Sequence, residues 1–103
     1  MKLKKYIILC LITSLTGGLS AQKTMTGIEV LKKDNFKILE RKRVGLITNP
    51  TGVDNSLKST IDILFEAPNV NLVALYGPEH GVRGDVHAGD KVENSTDPST
   101  GLP

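Results

Sequence analysis

The arrangement that most constrains this chain is a pair of short apolar runs separated by a helical spacing. Val44 to Thr48 ("VGLIT") and Val70 to Tyr76 ("VNLVALY") are rich in β-branched and apolar residues. Turn residues bound them, Pro50 and Gly52 after the first run and Pro68 and Gly77 around the second. Between them Leu57, Ile61, Leu64 and Phe65 recur at i, i+4, i+7 and i+8, which predicts an amphipathic helix between Ser56 and Glu66. Asp54, Asn55 or Ser56 can cap it. Strand, helix, strand in this order predicts an α/β fold built on a βαβ unit, with parallel strands and a right-handed crossover. The first run is short and continuously apolar, which suits a strand buried on both faces.

Upstream, "TGIE" has the capping-box pattern. Thr26 can accept from the Glu29 amide while Glu29 reaches back to the Thr26 amide, so a short helix with Ile28 and Leu31 facing inward is expected. Asp34-Asn35 punctuates it, and "FKILE" predicts one more helical turn with Phe36 and Leu39 buried. Downstream of Gly77 the apolar pattern stops. Residues 78–103 carry Gly, Asp, Pro, Ser and Thr with few apolar residues, and a stretch of this length without elements is expected to be functional or disordered. Two strands and at most three short helices do not cover both faces of a sheet, so the unit reads as the N-terminal part of a larger domain.

The first 21 residues have the layout of a secretory leader. Lys2, Lys4 and Lys5 form a basic start, Tyr6 to Leu15 an apolar run of ten residues, and Gly17 to Ala21 a small-residue exit. A spanning helix needs about 20 apolar residues, so cleavage after Ser20 or Ala21 is expected, with no membrane anchor left and a secreted or periplasmic product. Cys10 falls inside the apolar run and leaves with it, so no thiol chemistry remains. The leader also takes three lysines and no acid. The full chain has 13 basic and 11 acidic residues; 10 basic and 11 acidic remain after cleavage. Nothing in that balance supports a nucleic-acid or anionic-membrane surface.

In open parallel sheets ligands bind beyond the carboxyl ends of the strands. The first strand delivers "TNPTG" there and the second "GPEHGVRG", so Asn49 and Glu79 emerge at one rim if the strands are neighbours. A carboxyl group against apolar walls is held protonated and can act as a general acid near neutral pH. Glycoside cleavage is one reaction that uses this, with a second carboxylate nearby. The plain alternative is a solvated Glu79-His80 pair, with Glu79 bonded only to Arg83, and for Asn49-Pro50 an ordinary turn. His80 and His87, with Asp85 and Asp90, lack the close spacing of zinc motifs, so no metal site is expected. No Gly-x-Gly-x-x-Gly or Gly-Lys-Ser/Thr phosphate loop follows either strand, and no nucleophile elbow is present. A nucleotide-binding module therefore ranks last, and no cofactor is expected. "NST" at Asn94 matches a glycosylation sequon, a pattern that arises easily by chance.

Taken together, "GIEVL", "KRVGLITNPTGVD", "STIDIL" and "NLVALYGPEHGVRGD…AGDKV…DPSTGLP" resemble the N-terminal part of the YbbC/NamZ family of exo-β-N-acetylmuramidases, from about Gly27 to Pro103. The resemblance implies a Rossmann-like N-terminal domain in a larger two-domain enzyme of cell-wall turnover, which removes terminal N-acetylmuramic acid from peptidoglycan fragments. It implies Glu79 as the catalytic carboxylate. Asn49, His80 and Arg83 would orient it or bind the sugar and its lactyl carboxylate, a task suited to the Arg83 fork. The family's other proposed active-site residues lie beyond Pro103, so these 103 residues alone are expected to be inactive. A non-catalytic module binding peptidoglycan fragments is the competing expectation.

Overall fold

The structure, a computed structural model, describes residues 22–103, and the expected leader lies outside them. Its regular elements are helix α1 (Gly27–Lys33), a 3-10 turn (Lys37–Leu39), strand β1 (Arg43–Ile47), helix α2 (Thr60–Glu66) and strand β2 (Asn71–Tyr76). The two strands pair in parallel from Arg43 opposite Asn71 to Ile47 opposite Tyr76, with an irregularity between Val44 and Gly45. The βαβ unit of an α/β fold is therefore in place, and both strands end at one rim.

Helix α1 starts where the capping box predicts. The Thr26 amide donates to Glu29 Oε2 at 2.7 Å and its hydroxyl to the same oxygen at 2.9 Å. These bonds satisfy groups that a helix start otherwise leaves open. They also hold the Glu29 carboxyl below its usual range, with the Thr26 amide as the largest cause. After α1, Asn35 and Phe36 both adopt left-handed backbone, each at φ 53°. The bend turns Phe36 into the core, while Leu39 is only half-buried. The core itself joins Ile28 and Phe36 to Ile61, Ile63, Leu64 and Ala67 of the α2 region and to Leu72 and Leu75 of β2.

Two expectations need correction. Helix α2 begins at Thr60, not near Ser56, and its cap is Ser59, whose hydroxyl accepts from the Ile61 amide at 3.2 Å. Residues 53–59 form a tight turn instead, in which Asp54 Oδ1 accepts from the amides of Ser56 and Lys58 at 2.8 and 2.9 Å. An aspartate that bonds its own downstream backbone competes with helix and favours the turn. Leu57 sits in that turn at φ 62° and is exposed, and the buried arc of α2 shifts toward Ile63, leaving Phe65 partly exposed. The second correction is that β1 is not buried on both faces. Val44 and Leu46 pack on the core, but Ile47 is 75% exposed and its partner Tyr76 57%.

Residues 97–103 have no regular element, in keeping with the sequence, and they are held against β2 by a hydrogen bond. The Thr48 amide donates to the Tyr76 carbonyl, so that side of β2 faces β1. Neighbouring residues of a strand present their amides to opposite edges, and the Leu75 amide on the far edge donates to the Pro103 carbonyl at 2.8 Å. Pro103 thus meets the far edge of β2, at the end of a segment closed on itself by the Asp97 amide on Leu102 O and the Gly101 amide on Asp97 O, each at 2.8 Å. Among the described residues no helix is long and apolar enough to cross a membrane.

Candidate functional site

The rim is built from two turns in contact. After β1, Asn49 Oδ1 accepts from the Thr51 amide at 3.1 Å and from its hydroxyl at 2.8 Å, fixing the turn through Pro50. After β2, residues 77–84 fold tightly. A side chain at Gly77 would strike the Gly81 and Val82 backbone at 2.9 Å, and one at Gly84 would meet Pro50 at 2.8 Å. The last contact seats the second turn against the first. Asn49 is thus engaged through its oxygen by its own turn, while among the described residues its amide nitrogen has no partner.

Glu79 and His80 stand differently on this rim. Glu79 is exposed, and no hydrogen bond or ion pair reaches its carboxylate from the described residues. His80 is half-buried with left-handed backbone at φ 60°. Its Nδ1 lies 3.1 Å from the Val86 carbonyl, which can only accept, so Nδ1 carries the proton and Nε2 is left available. The Val86 amide returns a bond to the His80 carbonyl at 3.1 Å.

Arg83 does not bond Glu79. Its Nε and Nη2 donate to the two carboxylate oxygens of Asp97 at 2.6 and 3.0 Å, and Nη2 and Nη1 donate to Asp62 on α2 at 2.9 and 3.4 Å. The Asp97 side chain is almost wholly buried and also accepts from the Thr100 amide and hydroxyl at 3.0 and 2.7 Å. Hydrogen bonding from Arg83 is the largest cause that holds the Asp97 carboxyl down to about 2, and its bonds to Asp97 and Asp62 raise the Arg83 pKa in turn. The guanidinium, expected to orient Glu79 or to bind the sugar and its lactyl carboxylate, bonds two carboxylates of its own chain. Asp62 and Asp97, which hold Arg83, are the partners that sequence reasoning missed. "DPST" signals an Asp-initiated turn at Asp97, but no local pattern names its partner.

Among the described residues no group of three or more His, Cys, Asp or Glu side chains is placed to hold a metal ion. A hollow of about 180 Å³ lined by Lys32, Phe36, Ile63 and Glu66, among others, contains none of the rim residues. Ligand pockets typically run to several hundred Å³.

A parallel βαβ unit places the chain in the open α/β class, whose ligands characteristically bind beyond the carboxyl ends of the strands, where Glu79 and His80 stand. The particular family follows from its relatives. Residues 44–103 match the family described as "Exo-beta-N-acetylmuramidase NamZ, N-terminal", and the chain belongs to that family. It is 58% identical over 81 residues to a peptidoglycan beta-N-acetylmuramidase NamZ of Bacillus subtilis (strain 168), covering 79% of this chain and 20% of that protein. It also resembles a crystal structure of a DUF1343 family protein from Bacteroides fragilis NCTC 9343, with 78% identity and a TM-score of 0.67, covering 77% of this chain and 19% of that one. The chain thus spans about a fifth of the length of each of these relatives.

Proposed function

We propose that this chain supplies the Glu79 rim of an exported exo-β-N-acetylmuramidase, secreted or periplasmic, that removes terminal N-acetylmuramic acid from peptidoglycan fragments. The observation that carries the proposal is the accessible, unpartnered carboxylate of Glu79 at the strand rim, within the residues that match the family. A proton donor must be open to its substrate and not committed to a structural bond, and Glu79 meets both conditions. In the protonated form, Glu79 would donate to the glycosidic oxygen of a sugar seated on the rim. His80, through Nε2, and Asn49, through its free amide nitrogen, are the rim groups suited to hydrogen-bond the sugar. A second carboxylate is needed to complete glycoside hydrolysis.

The test is release of chromophore from an N-acetylmuramic acid glycoside by the protein as the native gene encodes it. Glu79→Gln is expected to lower kcat by roughly 10²–10⁴, the usual contribution of a positioned acid, without changing the unfolding midpoint. Retained turnover in that variant removes Glu79 from the mechanism. Binding of peptidoglycan fragments by the native protein with no product would favour the binding-module reading instead.

A further inference from the structure

We propose that Arg83 is the positioning residue of the Glu79 turn: with Asp62 and Asp97 it clamps residues 77–84 between helix α2 and the 97–103 segment, and so sets where the Glu79 carboxylate stands. This rests on the reading of Glu79 as the essential carboxylate. Because no described residue bonds the Glu79 side chain, its place is set by its backbone. Gly81 and Gly84, at φ 75° and 82°, adopt left-handed backbone readily, but the neighbouring His80 does so at φ 60° without a glycine's freedom. A non-glycine residue in that region persists when its surroundings hold it there.

The contacts that hold the turn differ in reach. The two bonds between His80 and Val86 lie within the loop and move with it. The Gly84–Pro50 contact joins it only to the other rim turn. Val82 packs on the core by apolar contact, and among the described residues Arg83 alone ties the turn by hydrogen bonds to both helix α2 and the 97–103 segment. One jaw, Asp62, directly follows Ile61, the most buried residue of the core. The other, Asp97, belongs to the segment whose Pro103 carbonyl bonds the Leu75 amide of β2. Both jaws are therefore anchored independently of the loop they grip. The geometry also demands arginine, since its planar fork meets Asp97 side-on while the outer nitrogens reach Asp62. A lysine head keeps the charge but cannot span the two carboxylates in this way. Finally, one guanidinium between two carboxylates gives a cluster of net −1. A substrate carboxylate would be repelled from it rather than bound.

The experiment compares wild type, Arg83→Lys, Asp97→Asn and the double variant, each in the protein as the native gene encodes it, on the N-acetylmuramic acid glycoside. Each single variant is expected to lower kcat about a hundredfold, the scale of a small misplacement of a reacting group, with KM within about threefold of wild type. The double variant should be no worse than either single one, because the two residues act as a unit. A raised KM with kcat intact would make Arg83 a substrate ligand and overturn the proposal, as would an unchanged kcat or an additive double variant. Should Arg83→Lys fail to fold, Asp62→Asn opens one jaw only. It should lower kcat about tenfold at constant KM, and an unaltered kcat there also overturns the clamp. A wild type that does not turn over the glycoside sinks the glycosidase reading alone. The clamp is then decided by hydrogen exchange at the Glu79 and His80 amides, which should quicken about tenfold in Arg83→Lys, or in Asp62→Asn, if the clamp holds the turn. Unchanged exchange would overturn it.

Discussion

Ile61 and Asp97 are both nearly removed from solvent, at 1% and 7% exposure, yet the parts of the chain they anchor are held by different forces. Residues 27–76 are organised by apolar contact: two helices, a 3-10 turn and one face of a strand pair close over a single cluster. In residues 77–103 most of the order comes from turns with left-handed backbone, one arginine between two aspartates and a carbonyl on a strand edge, with only Val82 and Leu102 packing on the core. Apolar contact is non-directional and tolerates small shifts. Charge-assisted hydrogen bonds are directional and fix a loop in register. The candidate carboxylate sits on the part built by the second method, which suits a site whose atoms must be placed closely.

Three further experiments can break or sharpen that contrast. The largest effect is expected at the core. Ile61→Ala should cost about 2–5 kcal/mol, the range for emptying a packed aliphatic site, seen as a lower midpoint in denaturant titration. A loss under 1 kcal/mol would mean that the polar half, not the cluster, carries the fold.

The second experiment is acid titration. Asp97 has a folded pKa of about 2 against an ordinary value of 3.8. Its contribution is therefore present in full above about pH 5, declines as pH falls through the unfolded value, and is gone below the folded one. With Arg83 partly open to solvent, roughly 1–2 kcal/mol is expected to disappear across that window. Protection at the Thr100 and Gly101 amides should fall before protection at Ile63. Simultaneous loss at all three sites would show that the two regions are one cooperative unit.

The smallest effect is expected at the helix start, where Ser59→Ala should cost about 0.5–1 kcal/mol. If that loss also lowers turnover, the placement of Asp62, three residues into the helix from its cap, is transmitted to the rim. If turnover is unchanged, the clamp absorbs the fraying.

Much of the apolar half was legible in the sequence. The strand positions, the presence of a crossover helix and the Thr26–Glu29 box all follow from spacing along the chain. The start of α2 was not, because Asp54 satisfies the Ser56 and Lys58 amides in a turn that competes locally with helix. Of the rim, the meeting of the two turns that follow the strands, Gly84 against Pro50, followed from strand order. The use made of Arg83 did not follow, because its fork looks equally suited to a substrate carboxylate or to a structural one.

By itself the sequence determined a βαβ unit with an ionisable turn after its second strand, since period and turn chemistry are properties of neighbouring residues. Only the tertiary structure decided which carboxylate is free and which are bound. Arg83 meets Asp62 from 21 positions earlier and Asp97 from 14 later. Pairings at such separations depend on how left-handed turns aim the chain, and no local pattern records that direction.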